Sequence, residues 1–229
     1  MQRPTTISIG GFTSEVGKTT VVCDLLAALP GWEAIKTTRG HYRSCGKDHQ
    51  TCCVSHLLTD EPVIRSGREA TYNVGKDTGR YWDAGAANVH WLIVTEEQVE
   101  EGIKRAMERV TAPGVFIEGN SFTEFVPVDF ILMVARAEGE KIKASARRAL
   151  RRASGLYLSE PNDSFSRANL SVSEASTQDG PGSAARERFA MWRGRTRLDE
   201  LRSDLPIYTR ENLPQLVSEL RRIHQALAA

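Results

Sequence analysis

Short apolar strand patterns alternating with amphipathic helical ones predict an α/β fold, a mostly parallel sheet with helices on both faces. Two further observations agree with it: a glycine-rich turn joins the first strand pattern to the first helical one, and no internal repeat interrupts the alternation. Strands are expected at residues 5–10, 33–37, 90–95, 114–118, 129–135, 155–159 and 205–208. Helices are expected at 18–29, 78–87, 96–110, 140–153 and 211–227. Two regions break the rhythm. Residues 39–73 are polar, contain cysteines and are too long for an ordinary connection. Residues 162–182 are rich in Ser, Asn, Asp and Gly and read as a mobile surface loop, followed by a short helix at 183–192. All 229 residues are expected to form one domain carrying these two excursions.

The first turn carries the chemistry. Gly10-Gly11-Phe12-Thr13-Ser14-Glu15-Val16-Gly17-Lys18-Thr19-Thr20 follows Thr5-Thr6-Ile7-Ser8-Ile9 and leads into the apolar run Val21 to Leu29. Strand, glycine-rich loop and helix is the context that makes Gly-Lys-Thr a phosphate-binding loop. Glycines let successive backbone N–H groups turn inward on an anion, and the helix start adds its own unpaired N–H groups. Lys18 can then reach the terminal phosphates, and the Thr19 hydroxyl can ligate Mg²⁺. Gly11, Thr13, Ser14, Glu15, Val16, Gly17, Lys18, Thr19 and Thr20 are the expected contacts to ATP or GTP, within a P-loop NTPase fold. The strict spacing fails by one residue: Phe12 stands where glycine is usual, and Gly11 lies one further back. With that departure the loop resembles dethiobiotin synthetase and its relatives among the septum-site and metal-insertion ATPases, where Glu-Val-Gly-Lys-Thr follows a stretch of small residues.

Composition narrows the function classes. A formal net charge of +1 gives no global field for nucleic acid or an anionic membrane. No apolar run approaches the roughly 20 residues that span a bilayer, and the chain enters its first strand without a signal-peptide pattern. The expected compartment is the cytoplasm, where four cysteines read as buried, metal-binding or redox thiols before disulfides.

Further acidic and basic candidates stand at strand ends, where open α/β sheets bind ligands. Gly114-Val115-Phe116-Ile117-Glu118-Gly119 is a buried-strand pattern ending in a carboxylate. Glu118 either holds Mg²⁺ or orients water, or it faces solvent at the strand end. Lys36 closes the second strand; it either meets the terminal phosphate or is solvated. Gly75-Lys76-Asp77-Thr78 reads as a turn with Asp77 at a helix start, which is compatible with a place for Asp77 in the Mg²⁺ shell. Asp48 is the other candidate for that shell.

These pieces carry a second resemblance. Ala34-Ile35-Lys36-Thr37-Thr38-Arg39-Gly40-His41, then Gly75-Lys76-Asp77-Thr78 with Ala84-Gly85-Ala86, then Glu118-Gly119, is similar to the pattern of the molybdopterin-guanine dinucleotide biosynthesis B proteins over roughly the first 135 residues. It implies Lys36, Lys76, Asp77 and Glu118 as site residues and a place in molybdenum-cofactor nucleotide chemistry. Thr37 replaces that family's histidine, and the cysteine-containing stretch is extra.

That stretch holds Cys45, Cys52 and Cys53 with His41, His49 and His56 nearby. Three thiolates and the His56 imidazole could close a zinc site, or thiolates could hold an iron–sulfur cluster. The alternatives are ordinary loop thiols, a reversible disulfide, or thiols meeting across a homodimer interface. Cys23 reads as core. The basic run at 141–152 is a solvated helix face, not a nucleic-acid site. No Asn-Lys-x-Asp motif selects guanine, and residues 159–163 either approach the base or form a plain turn. The expected function is Mg²⁺-dependent triphosphate binding and slow hydrolysis, with Lys18, Lys36 and Glu118 as catalytic residues. The rivals are a small-molecule kinase or ligase of the dethiobiotin synthetase type, and a metal-delivery accessory NTPase serving a cofactor-pathway protein.

Overall fold

The structure is a computed structural model that describes residues 3–40, 54–136, 142–159, 202 and 204–229, with 187, 190, 191, 193 and 194 in helical conformation. The described strands form one eight-stranded sheet in the order β3-β4-β2-β5-β1-β6-β7-β8. Their bounds are β1 Thr5–Gly11, β2 Glu33–Arg39, β3 Val63–Ser66, β4 Val89–Val94, β5 Gly114–Glu118, β6 Phe130–Arg136, β7 Gly155–Ser159 and β8 Ile207–Tyr208. Every pairing is parallel except β3 with β4. The helices are α1 Lys18–Ala28, α2 Arg68–Thr71, α3 Asp77–Asp83, α4 Val99–Met107, α5 Ala144–Leu150 and α6 Leu213–Ala228, with a 3-10 turn at Ser55–Leu57. The expected mostly parallel sheet with helices on both faces is the fold observed.

Strand alternation decides which face each residue joins. Ile7, Ile9, Phe116, Leu132 and Val134 pack with α1, α3 and α6 through Leu25, Tyr81 and Leu216. On the opposite face Ile131 and Met133 meet Ala146 and Ala149 of α5, while Ile35, Val115 and Ile117 meet Ile103 of α4. Helix α4 forms where acidic residues, Glu100 and Glu101, precede Lys104 and Arg105 by one turn, at 2.6 and 3.1 Å. That order also suits the helix dipole.

The stretch at 39–73, expected as a long break in the alternation, contains regular elements. β2 continues to Arg39, and β3 and α2 follow the 3-10 turn. Val63 and Ile64 pair antiparallel with Ile93 and Leu92 at the sheet edge, where their strand is only partly covered. An edge strand needs no continuous apolar run, so its composition hides it. The sheet is locked at its other end, away from the phosphate loop. Buried His90 lies 2.8 Å from Glu33 Oε2 and 2.8 Å from Ser66 Oγ. Glu33 Oε1 accepts hydrogen bonds from the backbone N–H groups of Thr111 and Ala112 and from the Thr111 hydroxyl.

Candidate functional site

Phe12 explains the irregular loop spacing. Its N–H donates to Val134 O at 3.0 Å and its carbonyl accepts from Lys143 N at 2.9 Å, so the pairing of β1 with β6 continues past Gly11. Its ring is buried with Met133 and Ala146. The turn itself is therefore Thr13 to Gly17, with Glu15 at φ 59° and Gly17 at φ 90°. A side chain at Gly17 would be strained by that φ and would place Cβ 3.2 Å from Ser159 Cβ. Asn120 accepts from the Gly11 N–H and donates to its carbonyl, both at 2.8 Å, so that amide already has a partner. A Cβ on Gly11 would fall 2.7 Å from Lys18 Cδ, so its bareness makes room for the lysine stem. Lys18 Nζ donates to Thr13 O at 3.2 Å.

Beyond this turn, strand parity assembles a charged cluster. Lys36 shares the face of Ala34, and Glu118 that of Phe116, so both emerge on the α1 side. They are also direct register partners across β2 and β5. Asp77 and Tyr81, one turn apart on α3, reach the same point. Lys36 Nζ lies 2.5 Å from Glu118 Oε1 and 2.6 Å from Asp77 Oδ2. The Thr19 hydroxyl stands 3.0 Å from Asp77 Oδ1 and 3.0 Å from Glu118 Oε2, its single proton serving one of them. Tyr81 donates its phenol proton to Glu118 Oε2.

These contacts set the protonation states. Burial works against the Lys36 ammonium, yet Glu118 and Asp77 outweigh it and raise its pKa above the ordinary lysine value. Burial also opposes the Asp77 carboxylate, and Lys36 and Thr19 more than offset it, holding its pKa below the usual range. Burial lowers the Lys18 pKa, with Glu118 opposing and Lys36 and Lys143 reinforcing. Tyr81 is pushed well upward by burial and by Glu118, so it stays a donor.

The cleft around this cluster has a volume of about 510 Å³. Ser14, Glu15, Gly17, Lys18, Thr19 and Thr20 line it, as do Lys36, Asp77 and Glu118. Thr13 instead lines an adjoining smaller cavity. Val16 turns its side chain into the core and accepts a 2.6 Å bond from Ser159 Oγ, leaving only its backbone near the loop. Lys76 is exposed and lies outside the lining. His56 is exposed in the 3-10 turn, while Cys45, Cys52, Cys53 and Asp48 lie outside the described residues. Among the described residues no group of three or more His, Cys, Asp or Glu could hold a metal ion. Cys23 is buried, its pKa pushed up to about 12, as expected for core.

Several lining residues escape a reading of the sequence. Arg80, whose guanidinium donates to Thr20 Oγ1 at 3.1 Å, follows Asp77 by one turn of α3. Arg136 closes β6, the neighbour of β1 on the side away from β5, and Ser159, first of the stretch 159–163, closes β7 beyond it. Only the rule that ligands sit beyond strand ends could have suggested Arg136. The cations Lys18, Lys36, Arg80 and Arg136 face the acids Glu15, Asp77 and Glu118, a balance suited to a polyanion carrying its own cation.

No protein-family model matches this chain, and no curated protein matches it in sequence. Among solved structures it is similar to the "apo" form of LpxK from Aquifex aeolicus in complex with ATP, with 16% identity and a TM-score of 0.43 over 69% of this chain. The match covers 50% of that protein, so the chain spans about half its length. No helix among the described residues is long and apolar enough to cross a membrane.

Proposed function

We propose that this chain binds a nucleoside triphosphate with Mg²⁺ in the larger cleft and hydrolyses it slowly. One observation carries the reading. The hydroxyl of Thr19, next in sequence to Lys18, lies 3.0 Å from both Asp77 and Glu118 at the foot of a left-handed loop. A hydroxyl and two carboxylates are hard oxygen donors of the kind Mg²⁺ takes. Bound there, the ion would offset charge on the phosphate oxygens. The chain's own residues do the rest. Amides of the Thr13–Gly17 turn would wrap the phosphates, and Lys18 would stabilise charge at the transferring group. Lys36 holds Asp77 and Glu118 together against their mutual repulsion.

ATP and GTP remain equal candidates. The resemblance to the molybdopterin-guanine dinucleotide B proteins motivates a role in molybdenum-cofactor or related nucleotide chemistry in the cytoplasm. In its favour, Lys36, Asp77 and Glu118, carried over from that pattern, line one cleft. The reading as a small-molecule kinase or ligase draws support from the second cavity beside Lys18. Turnover assays with Mg·ATP and Mg·GTP, with and without chelator, test the proposal. Turnover of either nucleotide that chelation abolishes is expected; no binding of either would end it.

A further inference from the structure

Lys18 separates two cavities. The smaller, of about 140 Å³, shares Ser14, Lys18, Thr37 and Gly119 with the nucleotide cleft. Its other side is closed by Arg39 at the end of β2, Ser121 after β5, and Lys143 and Ser145 at the start of α5. The charges differ sharply between the two. Among the described residues three acids line the larger cleft and none lines the smaller, whose cations are Lys18, Arg39 and Lys143. Arg39 does reach Glu96 at 3.2 Å, but that carboxylate is 67% exposed and outside the cavity. Such a surface pair is weak and leaves the guanidinium available. Lys143 donates to Ser14 Oγ at 2.8 Å, which keeps two of its N–H groups and the Ser14 proton free for another acceptor.

At roughly 30 Å³ per water molecule, the space equals about five waters. That accommodates a phosphate or carboxylate group with a few attached atoms. Three cations gathered around such a space repel one another until an anion enters, and a guanidinium can grip an oxyanion with two parallel N–H bonds.

We propose that this cavity is a subsite for the oxyanion group of a second small ligand, held by Arg39 and Lys143 beside the phosphate end of the nucleotide cleft. The inference rests on the nucleotide reading only for what fills the larger cleft.

The test uses the full chain saturated with Mg²⁺ and a β,γ-imido triphosphate, so that the terminal-phosphate position is filled. Inorganic phosphate is titrated in one arm and malonate in the other, by calorimetry. At least one should bind saturably, and Arg39→Gln and Lys143→Gln should each weaken it about tenfold or more, as loss of a charged hydrogen bond implies. Binding of phosphate alone would indicate a phosphorylated ligand, and of malonate a carboxylate one. If the analogue binds while neither anion does, or if both variants bind the anion as the parent does, the subsite is refuted. If the analogue itself fails to bind, the nucleotide reading falls instead. Phosphate and malonate titrated against the protein alone, with the same two variants, then decide the subsite.

Discussion

Lys36 and Glu118 are register partners on adjacent parallel strands, and their side chains meet at 2.5 Å where both strands end. Glu118 is 3% exposed and Lys36 17%, so the pair is largely removed from water. Removing one partner of a buried pair typically costs about 3–5 kcal/mol, because the other charge is left without compensation. Lys36→Met is therefore expected to lower the unfolding free energy by about 3 kcal/mol, read by chemical denaturation. A loss below about 1 kcal/mol would mark the pair as screened in the manner of a surface bridge.

Lys18→Ala should leave the fold intact, since its ammonium donates to the loop carbonyl of Thr13 and its stem lies over Gly11. Its effect belongs to the ligand. A loss of about 3–4 kcal/mol in nucleotide binding or turnover is expected, comparable to a lost oxyanion donor. Calorimetric titration with Mg·ATP and Mg·GTP is the measurement, and unchanged affinity for both would remove the phosphate-loop assignment.

Glu118→Gln keeps the size of the side chain and removes its charge. Hydrolysis should fall more than nucleotide affinity, because the carboxylate is assigned to Mg²⁺ and water chemistry. Equal turnover in variant and parent at saturating Mg²⁺ would leave Glu118 as a structural partner of Lys36 and Tyr81.

Acid should loosen the end of the sheet far from the phosphate loop. Burial opposes the Glu33 carboxylate, but hydrogen bonds from His90 and Thr111 hold its pKa below the ordinary 4.5. A depressed carboxylate contributes stability that is complete above its unfolded pKa and is lost as pH falls through the folded one. Denaturation midpoints measured downward from neutral pH should drop below about pH 4.5, and Glu33→Gln should flatten that slope. An identical slope in the variant would assign the acid sensitivity to other carboxylates.

The sequence carried the sheet and half the site. Strands β5, β6 and β7 are legible because they are buried on both faces and rich in apolar residues, β1 and β2 because a short apolar stretch precedes a turn signal or strand-end charge. β3 was hidden by its exposed edge position. Lys18, Thr19, Asp77 and Glu118 are legible through local motifs, each beside a glycine or a strand end. Arg80, Arg136 and Asn120 are not, since their convergence depends on the order β2-β5-β1-β6, which no local pattern reveals. The partner of the Gly11 amide, Asn120, is hidden for a related reason: it lies 109 residues away in the chain.

The hydrogen bond between Thr5 Oγ1 and His224 Nδ1, 2.8 Å long, joins residues 219 positions apart. Around it, Trp32 stacks on Phe116 at 4.9 Å and meets His224 edge-on at 5.5 Å. Helix α6 thus covers the same face of the sheet that carries the phosphate loop's helix. During synthesis, strand β1 emerges early, but the part of its apolar face beneath α6 stays open until residues near Leu220 have left the ribosome. Such distant contacts close slowly, and Ile7, Phe116 and Leu132 would meanwhile present a greasy surface to other nascent chains. Translation that stalls before α6 should therefore yield a sticky intermediate with its ligand-bearing half already written and no lid on its core.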